Sequence, residues 1–81
     1  HVFPQAELMT EVLKLARRIA ANAPIAVRNA KRAINEGYDA PLDYAIQVEG
    51  QAFGDCFETH DQREGMTAFL ERRKDKQFIN R

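Results

Sequence analysis

The chain has 81 residues and no net charge, with 44% apolar and 30% charged residues, a balance that fits one small soluble domain with a thin core. The neutral balance disfavours a binder of nucleic acid, and no apolar run nears the ~20 residues that span a membrane. A single cysteine, Cys56, excludes an internal disulfide and suits a reducing, cytoplasmic setting.

The chain opens "HVFPQAELM", with neither an initiator methionine nor a signal peptide, so a piece of something larger is expected. A first helix is predicted over 5–21. Leu8, Val12, Leu15, Ala16 and Ile19 recur at helical spacing and make one apolar stripe. Glu7 and Glu11 early, then Lys14, Arg17 and Arg18 late, suit the helix dipole. The helix should stop near "NAP", because Ala23 precedes a proline and is pushed off helical geometry. Pro24 suits the first turn of a second helix, 24–36, where its missing N–H costs nothing. Ala26, Val27, Ala30, Ala33 and Ile34 give that helix a slim apolar side, fit for close approach to another helix. Gly37 is the expected left-handed stop.

Pro41 opens a third helix, 41–57, with Asp39 or Ala40 as its cap. Leu42, Ala45, Ile46, Ala52, Phe53, Cys56 and Phe57 fall largely on one side. Gly50 and Gly54, four apart, share a face and mark either a weak helix or a groove for another backbone. A fourth helix, 60–73, begins with Thr59 and Gln62 as a capping box, and Asp61 and Glu64 sit where the dipole favours acids. Met66, Phe69 and Leu70 are its apolar residues. Gly65 costs an exposed helix interior about 1 kcal/mol, which points to a close approach against another backbone. The tail, 74–81, is charged apart from Phe78 and Ile79 and is expected to fray. With no strand predicted, residues 1–81 read as one all-α domain of four helices.

Charge is segregated. Residues 13–35 carry only bases (Lys14, Arg17, Arg18, Arg28, Lys31, Arg32), residues 36–71 are acidic save for Arg63, and the tail is basic again. Such blocks are either solvated faces or surfaces for an oppositely charged neighbour. The acids lie on polar helix sides, with no pocket predicted to shift their pKa for acid–base work. Cys56 and His60 are too few ligands for a metal, and a buried apolar thiol is the simpler reading of the cysteine. There is no glycine-rich phosphate loop after a strand. A helix-turn-helix DNA binder is disfavoured by the neutral charge and by bases not interleaved with aromatics.

Three stretches carry a resemblance. "ARRIAANAPIAVRNAKRAIN", "AFGDCFETHDQREGMTAFLERR" and the acidic helix between them are similar to the carboxy-terminal region of the crotonase superfamily, nearest to bacterial short-chain enoyl-CoA hydratases. The resemblance covers the whole chain. It implies an enzyme that reversibly adds water across the 2,3 double bond of an enoyl-CoA in fatty acid metabolism. In that family a spiral of ββα turns holds the oxyanion and carries two catalytic glutamates, and a helical region follows that builds much of the trimer interface. This chain resembles the helical part, inactive alone, with the spiral of the same protein as its partner. The expected assembly is a homo-oligomer, a trimer or dimer of trimers. No metal, nucleic acid or membrane is implied, and no cofactor, CoA being part of the substrate.

By the same resemblance, Phe53 and Phe69 wall the acyl-CoA site and Arg72 reaches the CoA nucleotide, where many relatives have lysine. Phe53 and Phe69 also fit ordinary core, and Arg72 fits a base favoured by a helix end. Phe69 and Arg72, three apart, would share one helical face. Two rivals remain open at this point: an enoyl-CoA isomerase of the same family, and an independent helical acyl-CoA-binding module.

Overall fold

A computed structural model describes residues 1–81, and its architecture is built around one helix pair. Four helices follow in chain order: α1 Gln5–Ala20, α2 Pro24–Gly37, α3 Leu42–Cys56 and α4 His60–Leu70. Only α2 and α3 share an extended interface. Pro24 begins α2, and Ala23 before it is extended at φ −60°, ψ 119°, as its proline neighbour requires. Asn22 closes the end of α1 by donating its side-chain amide to the Arg18 carbonyl at 3.0 Å.

The slim side of α2 does approach α3. Asn29, Ala33 and Gly37 lie one turn apart along it, and Ala52 of α3 is buried against this side. Asn29 Nδ2 donates to the Ala52 carbonyl at 3.3 Å, a buried bond between the two helices. Arg32 of the basic block reaches Asp55 of the acidic block at 3.4 Å, so part of the charge segregation is met within the chain.

Three expectations about helix ends are corrected. No glycine has positive φ, so Gly37 is not a left-handed stop. It lies inside α2, and a Cβ placed there would sit 3.1 Å from Ala45 Cβ; the residue is small because α3 passes so close. Helix α3 is capped by Pro41 itself, not by Asp39 or Ala40. Helix α4 stops at Leu70 rather than 73, because Arg72 turns left-handed at φ 57°.

Gly50 and Gly54 have open space around them, with no backbone of this chain in a groove there. No helix is long and apolar enough to cross a membrane.

The molecule is a plate, 43 × 38 × 19 Å, with a radius of gyration of 15.7 Å. A compact chain of this length has a radius near 12 Å. Its accessible surface is 7022 Å², against about 5,000 Å² for a folded monomer of this mass. The buried residues are Asn29, Ala52, Asp61 and Ala68, and none of them is a large hydrophobic. The apolar stripe of α1 is partly open, with Leu8, Val12 and Ile19 exposed.

Candidate functional site

The end of α4 and the chain beyond it form the most constrained region. Thr59 caps the helix: its Oγ1 accepts the Gln62 N–H at 3.0 Å. The reciprocal half of a capping box is missing, because the Thr59 N–H already donates to the Cys56 carbonyl at 3.1 Å. At the other end Arg72 N–H donates to the Phe69 carbonyl at 3.1 Å and Arg73 N–H to the Ala68 carbonyl at 2.8 Å. These are the two bonds of a Schellman closure, with arginine where glycine usually stands.

The tail does not fray. It returns along α4 and is fixed at three places. Asp61 is 1% exposed, and its carboxylate accepts the N–H groups of Ile79 at 2.9 Å and Asn80 at 2.8 Å. The Asp61 N–H donates to the Arg81 carbonyl at 2.8 Å. Glu64 accepts the Gln77 N–H at 3.1 Å. Between them the Phe78 ring lies 3.6 Å from where a Gly65 Cβ would be. Gly65 thus faces a ring of its own chain's tail, not another backbone. Asp61 and Glu64 do more than complement a dipole: they anchor the tail.

The electrostatics follow from these bonds. Burial pushes the Asp61 carboxyl up. Hydrogen bonds from His60 Nδ1, 2.9 Å away, and from the two tail N–H groups outweigh that and hold it below its ordinary 3.8. The ionised Asp61 can only accept, so His60 Nδ1 carries the proton of that bond. Glu64 is held below its ordinary 4.5, first by Arg73 and then by the Gln77 N–H. Arg73 is raised well above the usual arginine value by Glu64 and Glu71.

The residues singled out from sequence are all displayed. Phe53 is 67% exposed on α3 and meets Phe57 edge-on, with centroids 5.1 Å apart. It borders an apolar hollow of about 200 Å³ that also touches Ala26, Ala30, Ala33 and Ala52. Phe69 is 76% exposed in the last turn of α4. Arg72 is exposed and joins no side-chain hydrogen bond or ion pair. Phe69 and Arg72 are linked through the Schellman closure, and Arg72 lies past the helix, so shared helical periodicity does not align them. No aromatic pair or cavity joins Phe53 to either. No cluster of three His, Cys, Asp or Glu side chains forms.

Sequence reasoning passed over Asn29 and missed the roles of Arg73 and Phe78 in fixing the tail. For the tail there was a signal: Phe78 and Ile79 are apolar in a charged stretch. Asn29 gave none, since an asparagine in a helix is ordinarily solvated.

Known proteins align with most or nearly all of this chain. A model of the family "Enoyl-CoA hydratase/isomerase" matches residues 1–79. A protein named short-chain-enoyl-CoA hydratase from Clostridium acetobutylicum is 46% identical over 99% of this chain and 31% of its own length. A crotonyl-CoA hydratase from Syntrophomonas wolfei is 54% identical over 84% of this chain and 26% of its own. In three dimensions, an enoyl-CoA hydratase structure from Geobacillus kaustophilus superposes with a TM-score of 0.91 at 40% identity. It covers 99% of this chain and 30% of that one. The chain therefore spans about a third or less of the length of these relatives.

Proposed function

Because the chain belongs to the enoyl-CoA hydratase/isomerase family, within the crotonase superfamily, we propose that it is the helical part of an enzyme that reversibly hydrates the 2,3 double bond of short-chain enoyl-CoA. The relatives named for that hydration, at 46% and 54% identity, favour the hydratase over the isomerase. In this reading the bond-making chemistry belongs to the ββα spiral of the same protein. The helical chain joins subunits into a trimer or dimer of trimers and completes the CoA site.

The observation that carries the reading is surface left without cover. The chain exposes about 2,000 Å² more than a self-sufficient monomer of its mass would. That excess is more than twice the roughly 800 Å² that one partner contributes to a standard-size interface, enough for a large or a second contact surface. Leu8, Ile19, Ile34, Ile46 and Phe53 are among the large apolar side chains it displays. Phe53 and Phe69 offer flat apolar walls for an acyl-pantetheine chain. The planar guanidinium of Arg72 can fork onto a phosphate of the nucleotide.

A graft tests the proposal. Residues 1–81 replace the matching region of the Clostridium acetobutylicum relative, and hydration of crotonyl-CoA is followed together with sedimentation. Retained hydration by an oligomer of the parent's size is expected. A folded graft that stays monomeric, or that assembles without turnover, would overturn the reading.

A further inference from the structure

We infer that Glu64 and Arg73 are positioning residues for Arg72: they lock the chain beyond α4 into its left-handed exit and so fix where the Arg72 guanidinium can reach. The inference rests on the reading of Arg72 as a contact for the CoA nucleotide, and it adds the residues that act through it.

Arg72 has φ 57°, a conformation that side-chain-bearing L residues rarely adopt. At the exit of a Schellman-closed helix that place usually belongs to glycine or asparagine. A residue that bears a side chain stays there only when its surroundings over-determine the backbone. Here they do. Arg73 Nη2 donates to Glu64 Oε1 at 2.7 Å, Nε to Glu71 Oε1 at 2.9 Å and Nη1 to the Asp75 carbonyl at 3.0 Å. The second oxygen of Glu64 accepts the Gln77 N–H at 3.1 Å. Glu64 thus grips the chain on the far side of Arg72 twice, through a side chain and through the backbone.

The two neighbouring arginines are used in opposite ways. Arg73 spends its donors inside the chain and is only partly exposed. Arg72 keeps every guanidinium donor free on an exposed side chain, on a backbone that is held. A fixed base with a free head is the arrangement of a presented group. Charge-assisted bonds are the strong ones for holding it, and an amide in place of Glu64 would keep the shape but lose the charge.

The test uses the graft of residues 1–81 in the Clostridium acetobutylicum relative, isotopically labelled within those residues, unaltered and as Glu64→Gln, Arg73→Gln, Arg72→Gln and Glu64→Gln/Arg72→Gln. The probe is CoA. Two quantities are read: the backbone conformation of Arg72, from its Cα and Cβ shifts and three-bond coupling, and the affinity for CoA by titration. Glu64→Gln is expected to remove the left-handed signature at Arg72 while helix content is kept, and to weaken CoA binding several-fold. In the Arg72→Gln background it should make no further difference, because the effect passes through Arg72. An unchanged left-handed signature in both Glu64→Gln and Arg73→Gln overturns the clamp. An equal loss of affinity in the Arg72→Gln background overturns the positioning role. If Arg72→Gln leaves the CoA affinity of the graft unchanged while Glu64→Gln still shifts Arg72, the nucleotide reading fails and the positioning role with it, but the clamp stands, so the failures are told apart.

Discussion

The carboxylate of Asp61 holds the backbone N–H of Asn80, 19 residues along the chain, at 2.8 Å. Asn80 is itself left-handed at φ 63°, and the Ile79 N–H before it donates to the other oxygen of the same carboxylate at 2.9 Å. The tail is therefore fastened by a charge.

That fastening sets a pH dependence. Asp61 and Glu64 are held below their ordinary 3.8 and 4.5. A carboxyl depressed in the folded state contributes stability that is fully present above its unfolded value and is lost as pH falls through its folded value. Tail docking should stay constant around neutrality and release on acidification below about pH 4. The amide shifts of Ile79 and Asn80, followed against pH, check this. A midpoint at or above the ordinary carboxyl values would contradict it.

Thr59→Ala should cost about 1 kcal/mol of stability, since it removes the cap of α4. Gln62→Ala should cost little, because Gln62 contributes its backbone N–H and not its side chain. Thermal unfolding of the two variants separates a simple cap from a reciprocal box, which would lose stability in both.

Gly65→Ala should be tolerated and can gain up to about 1 kcal/mol, because a Cβ there meets the Phe78 ring at 3.6 Å, an ordinary contact, and alanine favours helix. Gly65→Leu should expel the Phe78 ring and free the tail. Ring shifts of Phe78 and amide exchange at Ile79 report both. A docked tail in the leucine variant would show that the ring has room to move.

Asn29→Ala should destabilise the α2–α3 pair by about 1 kcal/mol through the lost interhelical bond. Asn29→Asp should cost more, because it removes the donor and sets a carboxylate against the Ala52 carbonyl. Chemical denaturation of the two variants ranks them, and an equal or smaller loss for the aspartate would contradict the donor role.

What could be read ahead of the structure was local. Apolar spacing and the prolines at 24 and 41 located four helices to within a residue or so at most ends. Phe53, Phe69 and Arg72 came from a resemblance, and periodicity alone would not have chosen them. The errors cluster where distant residues decide. Gly37 was expected to serve backbone handedness, and it serves proximity to Ala45 across the turn. Helical spacing carries α4 through Arg73, because periodicity alone does not show that Arg72 turns left-handed and that Arg73 pairs back to Glu64, nine residues earlier. The tail reads as loose from its own residues because its anchors, Asp61 and Glu64, lie in another element.

The plate of exposed helices has a consequence for how substitutions will register. Where a side chain has no neighbour in its own chain, its replacement leaves the melting curve of that chain nearly untouched. Changing Ile34 or Leu42, 67% and 72% exposed, to a polar residue should make the free polypeptide more soluble and little less folded. Any damage would fall on whatever surface those residues cover, so deleterious substitutions on these faces are invisible to a stability screen of the chain alone and appear only when its cover is present.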